Sequence, residues 1–389
     1  MERSLDMSLQ RRLRDLEADG RRRLARQVDS LPHARCLIDG QQLTSFGTND
    51  YLSLAHDRRV CAAFSETARQ QSGATASALI SGRSGLHAEL EDRLAEFEQC
   101  EAALLFPTGF AANQGTIQAL VRPGDVVFSD QENHASLIDA IRGTKAKVFI
   151  YCRHEPDVLV RMIERNRQQF EHGFLITDGV FSMDGTVAPL HALCDIADRF
   201  RLAVVVDEAH GTGVIGRHGR GACEFRGVQK RPFVHIGTLS KAIGCLGGFA
   251  AGSRVTVEWL RNRARSQFFS TALPPAVCAA AVQSLQIIQT EPERRTALHD
   301  RNQMARSHAR SVGLAVVGEG EVPIVAITVP SHKDIMAMSD QLQKSGWFVP
   351  AIRPPTIAEG TSRFRISLTV DHELNDIVAV LDRIAELSQ

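Results

Sequence analysis

Two nearby stretches decide the fold: LAVVVDEAHGTGVIG at residues 202–216 and FVHIGTLSKAIG at residues 233–244. Each begins with a short apolar run and then changes to small and polar residues. Continuous apolar runs are typical of strands that are covered on both faces. Asp207 and Lys241 follow the two runs, and functional groups collect beyond the carboxyl ends of such strands. The two stretches therefore predict two strands of a buried sheet with a polar site at one edge.

The same pattern extends outward, from about residue 50 to 285. The apolar runs predict seven strands, at ALLF, DVVFSD, KVFIY, GFLITDG, LAVVVDEA, FVHIGTL and GGFAAG. Helical patterns such as HAELEDRLAEFEQ and HALCDIADRF lie between them. Strands that alternate with helices at this spacing predict an α/β fold, with a mostly parallel sheet in a three-layer αβα domain. Asp178, which follows FLIT, would lie at the same sheet edge as Asp207.

Three segments are expected along the chain: an N-terminal arm at 1–48, a large domain at 49–288 and a small C-terminal α+β domain at 289–389. The arm carries seven arginines between Arg11 and Arg26 and leucines at 5, 9, 13 and 16, which predicts a surface helix with a narrow apolar stripe. It is either a docking arm or a place where arginines meet substrate phosphates. The small domain is predicted from strands near VPIVAITV, GWFVPAI and FRISLTV and from helices near KDIMAMSDQLQKS and ELNDIVAVLDRIAEL.

Composition excludes several classes of function. Lysine plus arginine and aspartate plus glutamate both number 45, so the charge balance gives no reason to expect a nucleic acid or an anionic membrane as partner. No apolar run reaches about 18 residues, and the N-terminus is too charged for a signal peptide. We therefore expect a soluble, cytoplasmic protein. The eight cysteines include no C-x-x-C pair and are expected to be reduced thiols, without a metal site.

Two motif matches are set aside. Gly211 to Gly216 matches the dinucleotide fingerprint G-x-G-x-x-G, but four residues separate it from the strand and no amphipathic helix follows. DEAH (207–210) matches a helicase box, yet the chain has no phosphate loop of the form G-x-x-x-x-G-K-[ST]. The hydrolase and metalloprotease motifs G-x-S-x-G and H-E-x-x-H are also missing from the sequence.

The remaining polar residues predict one chemistry together. Lys241 lies among small and apolar residues, and burial favours the neutral amine that attacks an aldehyde. Asp207 could hold a protonated pyridine nitrogen, and His210 could reach the phenolic oxygen of the same ring. The turn at 108–110 could present helix amides to a phosphate, and His134 could stack on the ring. A helix cap at Thr108, a core histidine at 134 and a strand-end cap at 207 are the alternatives. Their combined occurrence favours pyridoxal 5'-phosphate bound as a Schiff base to Lys241.

The order of motifs resembles the α-oxoamine synthase family of fold-type I pyridoxal-phosphate enzymes. The resemblance covers nearly the whole chain. It rests on NDYLSLA (49–55), SGRSGLHAELEDRLAEFE (81–98), LFPTGFAANQG (105–115), HASL (134–137), TDGVFSMDGTVAPL (177–190), VVVDEAHGTGVIGRHGRG (204–221), TLSKAIG (238–244), FFSTALPP (268–275) and AIRPPTIAEGTSRFRISLT (351–369).

The resemblance implies a set of site residues. Lys241 would carry the Schiff base, and His134 would stack on the ring and act as an acid. The cofactor would also contact Gly109, Phe110, Ser182, Asp207, His210 and Thr238, the last at the phosphate. The substrate would contact Arg26, Asn49, Thr356 and Arg365, with Arg363 as the alternative carboxylate-binding arginine. Ser270 and Thr271 would reach the phosphate of a neighbouring subunit, which implies a homodimer with a shared active site.

The implied activity is condensation of an amino acid with an acyl thioester and loss of CO2. IRPPT followed by G-T-x-R-x-R resembles the biotin-forming branch, which joins L-alanine to a pimeloyl thioester on coenzyme A or on acyl carrier protein. The alternatives are a 2-amino-3-ketobutyrate ligase, which uses glycine and acetyl-CoA, and an enzyme like serine palmitoyltransferase. A non-catalytic regulatory subunit is disfavoured, because Lys241, Asp207 and His210 are all present.

Overall fold

A computed structural model describes residues 2–19, 21–23, 25–318, 320–329, 332–354, 357–358 and 360–389. The chain begins with α1 (Glu2–Ala18), the predicted surface helix, and its leucines at 5, 9, 13 and 16 are all exposed. Three short antiparallel strands follow: β1 (Val28–Leu31), β2 (Arg35–Ile38) and β3 (Gln41–Ser45).

A seven-stranded sheet forms the centre of the molecule. Its strands are β4 (Ala102–Phe106), β5 (Val126–Asp130), β6 (Lys147–Tyr151), β7 (Gly173–Asp178), β8 (Ala203–Asp207), β9 (Val234–Thr238) and β10 (Gly248–Gly252). The spatial order is β4-β10-β9-β8-β7-β5-β6, and only β10 runs antiparallel to its neighbours. All seven strands lie where the apolar runs predict them, so the mostly parallel sheet is confirmed.

Helices cover both faces of this sheet. They are α2 (Arg58–Ala68), α3 (Gly85–Glu98), α4 (Gly109–Leu120), α5 (Ala135–Gly143), α6 (Pro156–Asn166), α7 (Leu190–Phe200), α8 (Ala222–Phe225), α9 (Arg254–Arg263), α10 (Arg265–Phe268) and α11 (Pro275–Thr290). Successive strand residues such as Val127 and Phe128 enter two different apolar clusters. A strand points alternate side chains to opposite faces, so two cores flank the sheet and the three layers are confirmed.

The C-terminal part is an α+β unit. It contains α12 (Glu293–Ser311), β11 (Val316–Val317), β12 (Ile324–Thr328), α13 (His332–Lys344), β13 (Trp347–Phe348), β14 (Ala351–Ile352), β15 (Arg363–Ser367) and α14 (Leu374–Leu387). An antiparallel sheet joins four of its strands in the order β11-β12-β15-β14. The fifth, β13, instead pairs with β3. Part of the predicted arm is thus bonded to the C-terminal unit, and the limits of the three segments stay a prediction.

Two further observations bear on function. The glycines at 211, 213 and 216 lie in turns, and the helix that follows, α8, is only four residues long. This geometry lacks the helix N-terminus that a dinucleotide site needs. Among the helices of the described ranges, none is long and apolar enough to cross a membrane.

Candidate active site

A cavity of about 270 Å³ lies beyond the carboxyl ends of β7, β8 and β9. Eight of the residues that the sequence analysis assigns to the cofactor line it: Gly109, Phe110, His134, Ser182, Asp207, His210, Thr238 and Lys241. They come from separate parts of the chain, which the parallel strands bring to one edge of the sheet.

Lys241 follows β9 and lines this cavity. Burial lowers the pKa of the amine from 10.5 to about 8, because an ammonium loses hydration there. The carboxylates of Asp207 and Asp178 oppose this shift, whereas the positive charge of Arg365 adds to it. A substantial fraction of the amine is therefore neutral near pH 8, in the form that attacks an aldehyde.

Asp207, at the end of β8, is held by two hydrogen bonds. Its Oδ2 accepts from Asn113 Nδ2 at 2.6 Å, and its Oδ1 accepts from the backbone amide of Ala209 at 2.9 Å. Asp207 is 4 % exposed and lines the cavity. It is thus fixed in one orientation, as a group that holds a protonated ring nitrogen must be.

His134 caps the N-terminus of α5. Its Nδ1 accepts from the amide of Ser136 at 3.3 Å and lies 2.7 Å from the Ser136 hydroxyl. Partial burial lowers the pKa of the imidazole, so the ring is neutral and carries its proton on Nε2. Asn113 donates to the same hydroxyl at 2.8 Å. One amide side chain therefore orients both Asp207 and, through Ser136, His134.

Asp178 ends β7 directly beside Asp207, its register partner in β8. Its carboxylate accepts from the amide of His134 at 2.6 Å, and its own amide donates to Asn133 Oδ1 at 2.9 Å. Burial and the charge of Asp207 raise the pKa of Asp178 well above its usual range. Two carboxyl groups therefore lie side by side at this edge of the sheet.

The start of α4 forms the other end of the cavity. Thr108 caps the helix by accepting from the amide of Ala111 at 3.0 Å, so the earlier amides at 109 and 110 are free of intrahelical bonds. A Cβ added at Gly109 would lie 3.0 Å from both Cβ and Oγ1 of Thr238. Because glycine has no side chain, an anion can come close to these amides, and amides at a helix N-terminus are suited to bind a phosphate.

Arg365, on β15 of the C-terminal unit, reaches the same region. Its guanidinium donates to the carbonyl of Ser182 at 2.5 Å, to Ser367 Oγ at 2.7 Å and to Asn49 Oδ1 at 3.1 Å. Arg363, two residues earlier, instead donates to the carbonyl of Thr361 at 3.1 Å. The arginine that approaches the cavity residues is therefore Arg365.

The model of the aminotransferase class I and II family matches residues 41–383. The chain belongs to this family. Among curated proteins it is 43% identical over 376 residues to "8-amino-7-oxononanoate synthase 2" of Bacillus subtilis, covering 96% of this chain and 95% of the relative. The resemblance to the α-oxoamine synthases is confirmed.

Solved structures of this family share the fold. A serine palmitoyltransferase variant from S. paucimobilis with bound PLP–myriocin has a TM-score of 0.92 and 27% identity, covering 98% of this chain and 96% of that one. An 8-amino-7-oxononanoate synthase from Francisella tularensis has a TM-score of 0.77 and 26% identity, covering 88% and 97%. The chain is thus a fold-type I enzyme with pyridoxal phosphate as its cofactor.

The residues of this chain fit that cofactor. The amides at the start of α4 suit its phosphate, the fixed carboxylate of Asp207 suits its ring nitrogen, and the amine of Lys241 suits its aldehyde. All three groups line one cavity. The roles of the individual residues remain predictions.

Two of the predicted site residues, Arg26 and Thr271, do not line the cavity, and a third lies outside the residues that the structure describes. Arg26 is exposed and donates to Gln343 Oε1 of α13 at 3.2 Å. Thr271 is exposed and forms a β-bridge with Ser77, so its expected contact with a neighbouring subunit stays a prediction. Thr356 lies outside the described residues.

Three residues that line the cavity or contact its lining were not predicted from the sequence. Asn113 follows Gly109 by four residues, so helical periodicity alone could have put both on one face of α4. Ser136 follows His134 by two residues, a spacing at which a helix cap bonds the backbone. Tyr51, in NDYLSLA, gave no such signal, because its contacts depend on distant parts of the chain.

Proposed function

We propose that this chain is an 8-amino-7-oxononanoate synthase. It condenses L-alanine with a pimeloyl thioester and releases CO2, the free thiol carrier and 8-amino-7-oxononanoate, a step of biotin biosynthesis. The observation that carries the proposal is the name shared by curated relatives that are 37–43% identical over most of the chain.

The predicted roles follow the chemistry of the site. Bound pyridoxal phosphate supplies an electron sink for the bonds at the amino-acid Cα. Asp207 holds the ring nitrogen in its protonated state, and Lys241 takes the Cα proton as its neutral amine. His134 would stack on the ring and would donate a proton from Nε2 during condensation. His210 and Ser182 contact cofactor oxygens, and Thr238 contacts the phosphate.

Arg365 receives the carboxylate of the amino acid, a task that suits a planar guanidinium. Its contacts with Asn49 and with the carbonyl of Ser182 support this role, because they hold the fork in one orientation. Asn49 lines the same site. Arg26 and Thr356 are proposed to contact the acyl substrate.

The active site is proposed to be shared by two subunits. Thr271 of each subunit would bind the phosphate held by the other. The exposure of Thr271 and of Phe269, which is 66 % exposed in the single chain, supports this arrangement. Sedimentation velocity of the purified protein tests it, and a monomer at micromolar concentration would contradict it.

A second candidate is a serine palmitoyltransferase activity. It is favoured by structural neighbours with TM-scores of 0.92 at 27–28% identity. Those neighbours are less similar in sequence than the curated synthases, so we rank this activity second.

Product analysis by mass spectrometry tests the proposal. The purified protein with pyridoxal phosphate is given L-alanine, glycine or L-serine, each with pimeloyl-CoA, pimeloyl-acyl carrier protein, acetyl-CoA or palmitoyl-CoA. We expect 8-amino-7-oxononanoate from L-alanine and a pimeloyl thioester. Carbon-13 at C1 of alanine is expected in CO2, and carbon-13 at C3 in the product. Lys241→Ala is the control without activity. Turnover only with L-serine and palmitoyl-CoA, or only with glycine and acetyl-CoA, would contradict the proposal.

A further inference from the structure

The hydroxyl of Tyr51 lies between the proposed carboxylate site and a cofactor-facing histidine. It is 2.8 Å from His210 Nδ1, 3.3 Å from Arg365 Nη2 and 3.3 Å from Asn49 Oδ1. Tyr51 is fully buried and does not line the cavity, whereas His210 does. Tyr51 can therefore act on the cofactor only through other residues.

The hydrogen bonds of this hydroxyl have a direction. A guanidinium has donors only, so Arg365 donates to the Tyr51 oxygen. Accepting from a cation makes the hydroxyl a better donor. Its single proton can go to Asn49 Oδ1 at 3.3 Å or to His210 Nδ1 at 2.8 Å. Because Asn49 Oδ1 already accepts from Arg365 at 3.1 Å, the proton is assigned to the shorter contact, the one to His210 Nδ1. Burial and the nearby charges of Lys241 and Arg365 lower the pKa of His210 well below its usual range. The imidazole is therefore neutral, and with Nδ1 as acceptor it carries its proton on Nε2.

We propose that Tyr51 is a positioning residue that fixes the Nε2–H form of His210 and couples it to Arg365. The inference rests on the proposed function for the role of Arg365 and on the predicted contact between His210 and the phenolic oxygen of the cofactor. An N–H donated to that oxygen stabilises the less protonated form of the bound cofactor. Without Tyr51 the imidazole is free to carry its proton on Nδ1, and this donor is lost.

The test is a spectroscopic pH titration of the cofactor-loaded protein. Tyr51→Phe removes one hydroxyl and keeps the buried ring. Tyr151→Phe is the matched control, since Tyr151 is the chain's second tyrosine, is also buried and does not line the cavity. We expect Tyr51→Phe to move the midpoint of the absorbance change to higher pH, by roughly a fivefold change in the proton dissociation constant. Tyr151→Phe is expected to leave it in place, and equal midpoints for the two variants would overturn the proposal.

The coupling to Arg365 needs a double-mutant cycle. We expect Arg365→Met alone to move the midpoint of the cofactor absorbance titration. This shift should be smaller when Phe also replaces Tyr51, because the effects of mutations within one hydrogen-bond network are not additive. Strictly additive shifts would refute the coupling. These titrations need only bound pyridoxal phosphate, so they remain decisive if the enzyme uses a different amino acid or thioester.

A readout on the free protein is independent of the cofactor. Nitrogen-15 NMR of labelled histidine reports which ring nitrogen carries the proton, and the His210 signal is identified by its absence in His210→Gln. We expect the Nε2–H form in the wild-type protein and a mixture of both forms in Tyr51→Phe. An Nδ1–H form in the wild-type protein would overturn the proposal.

Discussion

The pKa of Lys241 has a measurable consequence for how the protein captures its cofactor. With a pKa of about 8, in place of 10.5, roughly 9% of the amine is neutral at pH 7, against roughly 0.03% for an ordinary lysine. Only the neutral amine attacks the aldehyde. The reactive fraction at pH 7 is therefore about 300 times larger than without burial.

The perturbation that tests the cause is Arg365→Met. The positive charge of Arg365 lowers the pKa of Lys241, so removing it raises that pKa and slows capture at pH 7. Arg363→Met is the matched control, because Arg363 lies two residues earlier on β15 and donates to the carbonyl of Thr361. The rate of cofactor capture rises with pH as the amine of Lys241 loses its proton. We expect the midpoint of this rise to move to higher pH in Arg365→Met and to stay unchanged in Arg363→Met.

The assay mixes cofactor-free protein with pyridoxal phosphate and follows the visible absorbance by stopped flow from pH 6 to 10. Nα-acetyl-lysine is measured in parallel to correct for the ionisation of pyridoxal phosphate itself. The corrected rate should rise about tenfold per pH unit at low pH and level off near pH 8. A rate that keeps rising to pH 10, as for the model amine, would refute the assigned pKa. Equal shifts in the two arginine variants would refute the role of the Arg365 charge.

Three further predictions concern single residues. Ser136→Ala should lower kcat about fivefold and leave the affinity for the cofactor unchanged, because the hydroxyl that orients the His134 imidazole is lost. Steady-state kinetics measures kcat and a spectral titration measures cofactor affinity; an unchanged kcat would contradict this prediction. Gly109→Ala should weaken cofactor binding about tenfold, since its Cβ would meet a side chain at 3.0 Å, whereas Gly124→Ala has nothing within 4 Å and should bind normally. Arg306→Lys should lower the free energy of unfolding by about 3 kcal/mol, because this buried guanidinium donates to three backbone carbonyls. Urea unfolding measures the change. A loss under about 1 kcal/mol would mean that lysine replaces these hydrogen bonds.

The sequence alone determined which segments form the sheet and which residues stand at its edge. The seven central strands were predicted because an apolar run that must be covered on both faces is visible in the local sequence. Asp207 and Lys241 were found for the same reason, since each directly follows such a run. Thr108 and Gly109 were found because a helix start has its own local signature.

The tertiary structure decided how these residues are held. Asn113 bonds to Asp207 across 94 positions of the chain, Tyr51 to His210 across 159, and Arg365 to Asn49 across 316. Such pairs depend on the order of strands in the sheet, where β10 lies between β4 and β9. Local periodicity determines the type of an element and which of its faces is buried, but not which element packs beside it. The lowered pKa of Lys241 is also decided by the tertiary structure, because it depends on how completely distant segments of the chain enclose the amine.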